Sequence, residues 1–238
     1  MASREEEKRL RREERERAET QAAASRARTR RLQFLLGALL TIAVVVGVVL
    51  LVTKDSGGGD SSAKTPTAAN DPAAAIPAPR ERNLAAAAKA ADCVLIDHLE
   101  PAGHVEGKVK YKSNPPTSGL HNPNPALDGI YDPGQEPTAE HWVHSLEHGR
   151  IDFMYTPGTA KEQIAKLETL ASEPLNGKAG YKTLLFQNDT HMPYAVAATA
   201  WGHLIGCKKV SDAMYDALRD FRVKYVDKGP EQGIPPTN

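Results

Sequence analysis

The sequence predicts an α+β domain, with helices on one face of a small and mostly antiparallel sheet, behind one N-terminal transmembrane helix. Three observations lead to this prediction. After residue 150, patterns typical of strands and helices follow in the order β-α-β-β-α. A nearly continuous apolar run occupies residues 32–52. A segment rich in Gly, Ser, Ala and Pro separates this run from the globular part.

Residues 1–31 form a charged tail in which Glu and Arg alternate in short blocks. The tail carries eleven Lys/Arg and seven Asp/Glu, so it has four surplus positive charges, and the rest of the chain has four surplus negative charges. Without an apolar stripe to bury, this tail is expected to be a solvated helix or a disordered arm. The remainder has no basic surplus, so nucleic acid is not an expected partner.

Residues 32–52 predict a single membrane-spanning helix. At about 1.5 Å per residue, a helix of this length spans roughly 30 Å, the thickness of the bilayer core. Four arginines between residues 26 and 31 place the N-terminus in the cytoplasm by the positive-inside rule. A cleaved secretory signal is the alternative, but such signals usually have a shorter leader and a shorter apolar run than this chain has. We therefore expect a single-pass plasma-membrane protein, with the membrane as a partner of residues 32–52.

Residues 53–80 predict a flexible linker, and residues 81–238 predict the extracytoplasmic α+β domain. Within this domain the patterns predict helices at 84–91, at 159–170 with a capping box from Thr159, and at 211–225. They predict strands at 93–96, 108–111, 150–155, 181–186 and 194–201. Prolines and glycines between residues 113 and 140 predict a long ordered loop, and such loops are usually functional.

The two cysteines, Cys93 and Cys207, both lie in the part that we expect outside the cytoplasm. An even cysteine count in an oxidising compartment favours a disulfide, here closing a loop of more than a hundred residues. Two buried free thiols are the alternative. Zinc ligation by this pair is disfavoured, because structural zinc sites usually place cysteines close together in the sequence.

Three histidines and a carboxylate lie within residues 141–148, which read HWVHSLEH. His144 and His148 are four residues apart, so a helix here places both imidazoles on one face, where they can bind one metal ion. The same segment fits the inverted zinc-peptidase pattern His-x-x-Glu-His, with Glu147 as the base. That pattern needs a longer helix than Gly149 allows, so peptidase chemistry is disfavoured.

A second segment, residues 115–121, reads PPTSGLH and ends in a further histidine. Its two prolines favour an extended backbone, and Gly119 permits a positive φ. His121 is therefore expected to be held rigidly, as a metal ligand or a catalytic group requires.

These two segments predict a metal site whose ligands are His121, His144 and His148, with His104 or Glu147 completing the shell. Imidazole donors suit zinc and copper, and the sequence does not choose between them. In the alternative interpretation the same histidines bind backbone carbonyls and hold the proline-rich loop against the sheet without a metal.

Several short motifs together resemble a known bacterial family. They are PPTSG-x-H at 115–121, G-x-Y at 129–131, H-x-LEHG at 144–149, and AWG at 200–202 followed by Cys207. This combination is similar to the membrane-anchored domain of unknown function 3105 family, whose members are often actinobacterial. The resemblance implies that the motif positions are His104, His121, His144, Glu147 and His148, and that the family cysteines are Cys93 and Cys207. It implies no activity.

Three functions remain as hypotheses. The first is a non-enzymatic, metal-binding module outside the membrane that takes zinc or copper. The second is a metal-dependent hydrolase in which Glu147 activates a metal-bound water. The third is a metal-free structural or interaction domain of the cell envelope. Protein partners are not predicted by any pattern in the sequence.

Overall fold

The computed structural model describes residues 74–237, in which one mixed sheet is flanked by helices. The helices are α1 (Leu84–Ala90), α2 (Ala139–Glu147), α3 (Lys161–Ser172) and α4 (Asp212–Tyr225). The strands are β1 (Cys93–Asp97), β2 (Gly103–His104), β3 (Leu120–His121), β4 (Gly129–Ile130), β5 (Ile151–Tyr155), β6 (Pro174–Leu175), β7 (Lys178–Ala179), β8 (Thr183–Gln187), β9 (Val196–Ala200) and β10 (His203–Cys207).

Six strands form the main sheet, in the order β1-β10-β9-β5-β8-β4. The pairs β1/β10, β10/β9 and β9/β5 are antiparallel, while β5/β8 and β8/β4 are parallel. The α+β class is therefore confirmed, with a parallel part that the sequence did not predict. It arises because β5 continues into β8 through α3, and such a crossover leaves both strands pointing the same way.

The two faces of the sheet bury separate apolar clusters. In β5, Phe153 and Tyr155 belong to the first cluster and Met154 to the second, as expected from the alternation of side chains along a strand. Helices α1, α3 and α4 pack on the first cluster, whereas α2 packs on the second through Trp142 and Leu146. The prediction of helices on one face is therefore wrong for α2. Every residue of β5 is buried, so this strand needs cover on both faces.

Two local predictions are also wrong, and one strand was not predicted. Residues 108–111 form no strand, because the Val109 N–H donates to the Glu140 carboxylate of α2 (2.9 Å). Strand β10 was not predicted, although it is the central partner of both β1 and β9. Helix α3 has Ala160 as its N-cap, and Thr159 instead donates its hydroxyl to a carbonyl of the preceding turn.

The disulfide between Cys93 and Cys207 is confirmed. The two cysteines are directly opposite each other in the antiparallel pair β1/β10. The disulfide therefore links β1, at the edge of the sheet, covalently to its neighbouring strand.

Residues before 81 also pack on the domain. Ala74 is buried, and Ile76 packs against the first cluster, although both belong to the predicted linker. Between residues 74 and 237, no helix is both long and apolar enough to cross a membrane. The predicted tail, the predicted membrane helix at 32–52 and most of the predicted linker lie outside the described residues.

Candidate metal centre

Helix α2 supplies two of the candidate ligands and positions a third. Its apolar residues anchor it on the sheet, while His144 and Glu147 lie in its last turn and His148 is its C-cap. Gly149, with φ +79°, then turns the chain sharply. A Cβ at this position would lie 2.8 Å from the Asp227 Cα, so the close approach of these two backbone segments requires glycine.

The short parallel pair β2/β3 supplies the other two histidines. His104 and His121 are directly paired in this ladder, and their rings lie 5.0 Å apart in an edge-to-face arrangement. The Val105 N–H donates to the His121 carbonyl (2.8 Å), which extends the pairing. The Asn122 N–H donates to the Glu140 carbonyl (3.0 Å), so β3 is tied directly to α2.

Backbone carbonyls fix the tautomers of two histidines. The His121 Nδ1–H donates to the Gly119 carbonyl (2.8 Å), and the His144 Nδ1–H donates to the Asn122 carbonyl (2.7 Å). A carbonyl only accepts, so the proton must be on Nδ1 in each ring. In its neutral form each ring therefore directs the lone pair of Nε2 into the site, which is the arrangement that metal-binding histidines usually have.

Four ligand atoms converge at the centre of the site. One atom each from His104, His121, His144 and Glu147 lies within 4.8 Å of all the others. The Glu147 Oε2 atom is 3.0 Å from the His121 Nε2 and 4.0 Å from the Nε2 atoms of His104 and His144. We call these four residues the inner group.

The contact between His121 and Glu147 leaves one buried nitrogen unsatisfied. The His121 Nε2 makes no hydrogen bond within the described residues, although the carboxylate oxygen is as close as a hydrogen-bonding partner. With its proton on Nδ1, neutral His121 turns a lone pair towards a carboxylate oxygen. Two acceptors at this distance repel each other unless a proton or a metal ion lies between them.

Burial keeps His144 neutral at physiological pH. Burial is the largest of several causes that together bring the pKa of His144 to about 4. The hydrogen bond to the Asn122 carbonyl raises this pKa, and the charged forms of His148, His121 and His104 lower it. The Nε2 lone pair of His144 is therefore available to a metal ion at pH 7.

A second group of ligand atoms adjoins the first. The His148 Nε2 lies 3.0 Å from the His144 Nε2 and 3.1 Å from the Glu231 Oε2. These three residues can also hold an ion, and we call them the outer group. Burial lowers the pKa of His148, although the carboxylates of Glu231 and Glu147 oppose this effect.

The C-terminal tail brings Glu231 to the site. The Glu231 N–H donates to the Glu147 carbonyl (3.0 Å), and the Thr237 N–H donates to the buried Asp128 carboxylate (2.8 Å). Arg150, itself paired with Asp128, donates to the Pro235 carbonyl (2.6 Å). The tail is therefore fastened to the end of α2 at Glu231 and to Arg150 and Asp128 beyond it.

The structure brings all five predicted site residues together, in an arrangement that differs from the predicted one. His104, His121, His144 and Glu147 converge on one point. His148 follows the last residue of α2 as its C-cap. Its ring contacts His144 and, in the C-terminal tail, Glu231, instead of the centre of the inner group. The helix that would place His144 and His148 on one face is observed, but it ends at Glu147.

Two neighbours of the site were not predicted. Glu231 is 83 residues beyond His148, and no motif around it indicates a ligand. The ring of Trp201 lies edge-on to that of His121, with the ring centroids 5.9 Å apart. The resemblance to a family could have indicated Trp201, because the AWG motif contains it.

Fold and site together define an α+β domain with one disulfide and a cluster of histidines and carboxylates, in which His121, His144 and Glu147 are buried and His104 is exposed. The family model described as "Protein of unknown function (DUF3105)" matches residues 104–238, which is more than half of the chain, and the chain belongs to this family. No curated protein and no solved structure matches the chain.

Proposed function

We propose that this domain binds a transition-metal ion, zinc or copper, through His104, His121, His144 and Glu147. The observation that carries this proposal is the buried His121 Nε2, which makes no hydrogen bond within residues 74–237 although the Glu147 carboxylate oxygen lies 3.0 Å away. A divalent cation between these two acceptors converts their repulsion into two ligand bonds. The paired carboxylate also offsets part of the ion's charge.

The spacing of the ligand atoms supports the proposal. A tetrahedral zinc ion with bonds of about 2.0–2.1 Å separates its ligand atoms by about 3.4 Å. The contacts of 3.0, 4.0 and 4.0 Å around the Glu147 Oε2 bracket this value. Small side-chain movements are therefore enough for all four atoms to bind one ion. Three imidazoles and one carboxylate suit zinc and also copper(II).

The position of Glu147 argues against the hydrolase alternative. In that alternative its carboxylate must stay outside the ligand shell and activate a metal-bound water. Here one carboxylate oxygen lies among the three ligand nitrogens, where a metal ligand is expected. We therefore favour a metal-binding module over a hydrolase that uses Glu147 as its base.

The test is the metal content of the full chain, purified without a histidine tag or a chelator. His121→Asn and His144→Asn are the informative variants, because asparagine can still donate to the same backbone carbonyls but offers no Nε2. His191→Asn is the matched control, since His191 is exposed, lies outside both groups and has a positive φ that asparagine tolerates.

We expect at least one zinc or copper ion per chain in the wild-type protein and in the control, and at least one ion fewer in both site variants. Saturating metal at 100 times Kd should stabilise the wild-type protein by about 2.7 kcal/mol. A metal-free wild-type protein that zinc and copper do not stabilise would mean that the histidines fasten the loop, as in the metal-free alternative.

We also propose that the domain is displayed outside the cytoplasm at the plasma membrane, anchored by residues 32–52. Support comes from the apolar run, the arginines before it and the disulfide, since disulfides persist in oxidising compartments. Protease added to intact cells should remove the domain and leave the N-terminal tail protected. Protection of the domain until the cells are lysed would contradict this placement.

A further inference from the structure

We infer that the site takes two metal ions, the second bound by His144, His148 and Glu231. This inference deepens the proposed function and rests on it. It also predicts that the two ions compete for His144, because this residue belongs to both groups.

The outer group has the spacing of a metal site. Its contacts of 3.0 and 3.1 Å, both made by the His148 Nε2, are close to the separation of about 3.4 Å around a tetrahedral zinc ion. The side chain of His148 is largely buried, whereas that of Glu231 is 50% exposed. The outer group is therefore open to an ion arriving from solvent.

Hydrogen bonding within the outer group is incomplete without a cation. The His144 Nε2 carries a lone pair, because its Nδ1–H donates to the Asn122 carbonyl. The His148 Nε2 therefore faces two acceptors, this lone pair and the Glu231 carboxylate, and has at most one proton to offer them. A metal ion among the three atoms satisfies all of them.

The two ions compete for His144, because its Nε2 has a single lone pair. Its Nε2 can bind one ion at a time, so a first ion has four protein ligands when His144 belongs to the inner group. When a second ion binds, His144 passes to the outer group, and each ion then has two histidines and one carboxylate: His104, His121 and Glu147, or His144, His148 and Glu231. The second ion should therefore bind more weakly than the first.

The C-terminal tail is built to hold Glu231 in place. A Cβ on Gly229 would lie 2.2 Å from the Glu147 carbonyl oxygen and 2.5 Å from the Gly149 nitrogen, so the tail lies directly against the end of α2. The Glu231 N–H donates to the same Glu147 carbonyl. The backbone carbonyl of Glu147, a residue of the inner group, thus sets the position of Glu231 in the outer group.

The experiment is a titration of the full chain, stripped of metal, with zinc or with cobalt(II) as a spectroscopic probe. We expect two ions per wild-type chain, a tight one and a weaker one. Glu231→Gln keeps the backbone contact and removes the carboxylate, so it should leave the first ion unchanged and weaken the second by at least about 10–100-fold. Glu162→Gln, an exposed change on α3 across the sheet, is the control and should bind two ions as the wild type does.

The outcomes separate this inference from the proposed function. One ion in the wild type, with Glu231→Gln identical to it, overturns the second position and leaves the proposed metal site intact. Two ions in both proteins at equal affinity also overturn it, because the second ion is then bound elsewhere. No ion in any of the proteins overturns the proposed function and this inference together.

Discussion

At the scale of single residues, the charge between His121 and Glu147 decides how the site works. The His121 Nε2 and the Glu147 Oε2 lie 3.0 Å apart, so a positive charge must lie between them. Either a metal ion or a second proton on His121 can supply it. In the first case the metal-free site is frustrated and the ion relieves it. In the second case the site is already a satisfied ion pair. These two states respond oppositely to the same substitution.

Glu147→Gln distinguishes these states. A glutamine amide can donate its N–H to the lone pair of neutral His121, so the variant should be about 1 kcal/mol more stable than the wild type in EDTA. It should also lose the part of the zinc stabilisation that comes from the first ion. Urea denaturation with EDTA and with zinc measures both effects. If the variant is instead less stable than the wild type in EDTA, His121 carries a second proton, and this result favours the interpretation in which the site holds no metal.

Asp152 is a second residue whose charge is unfavourable in the fold. Its side chain is fully buried, and its Oδ2 has no hydrogen-bond partner within residues 74–237. Burial raises the pKa of the Asp152 carboxyl well above its usual value, against a hydrogen bond from Ser145 that lowers it. Asp128 raises this pKa further and Arg150 lowers it. The folded protein therefore keeps this proton to a higher pH than the unfolded chain does.

Asp152→Asn should change the pH dependence of stability. Because the folded-state pKa is raised, the wild-type carboxyl stabilises the fold fully only below the unfolded pKa of about 3.9, and this contribution falls as pH rises towards the folded pKa. The stability of the variant relative to the wild type should therefore increase with pH, by up to about 1.4 kcal/mol per unit.

Urea denaturation of both proteins between pH 4.5 and pH 8 measures this difference. Asp189→Asn, at an exposed loop position, is the control and should show no such trend. A constant difference between Asp152→Asn and the wild type across this range would mean that the carboxyl is ionised throughout.

At the scale of elements, the contact between α2 and the C-terminal tail joins the two ligand groups. Gly149 and Gly229 make this contact possible, because each would place a Cβ against backbone atoms of the other segment. The tail therefore depends on α2 for its position, and the outer group depends on the tail for Glu231.

Gly229→Ala should separate these elements. Its Cβ would lie 2.2 Å from a backbone oxygen, so the tail must move, and we expect a loss of about 1–3 kcal/mol in unfolding free energy. The second metal ion should weaken together with this loss, while the first should remain. Gly233→Asn adds a side chain to the same tail in open space and at a φ that asparagine tolerates, so it should bind as the wild type does. Equal second-ion affinity in both variants would contradict a role for the tail.

The elements that the sequence predicted well are those with strong local patterns. Local periodicity or cysteine count predicts the helices α1, α3 and α4, the strands β1, β5, β8 and β9, and the disulfide. Strand β10 was missed because it follows β9 after a tight turn, and its burial comes from its two neighbours. Glu231 was missed for a related reason, since only the folded tail brings it to His148. Long-range placement of this kind leaves no local pattern in a single sequence.

At the scale of the whole molecule, the sheet separates the site from the larger apolar cluster. Helices α1, α3 and α4 cover one face, while α2 and the loop before it cover the other and carry the ligands. The disulfide lies at the β1 edge, and none of the candidate ligands belongs to β1 or β10. Stability from the disulfide and stability from metal should therefore be largely independent and additive.

Replacement of both cysteines, Cys93→Ser with Cys207→Ser, tests this independence. The disulfide spans 114 residues, and the chain-entropy model assigns such a loop about 5 kcal/mol. At about 2–4 °C per kcal/mol for a domain of this size, the variant should melt roughly 10–20 °C lower. Zinc should nevertheless stabilise the variant by the same free energy as the wild type, because neither of the strands that carry the cysteines supplies a ligand. Thermal unfolding of both proteins, with EDTA and with zinc, gives the four values needed. A zinc effect that disappears with the cysteines would show that the edge of the sheet supports the metal site after all, through β9 and the Trp201 contact with His121.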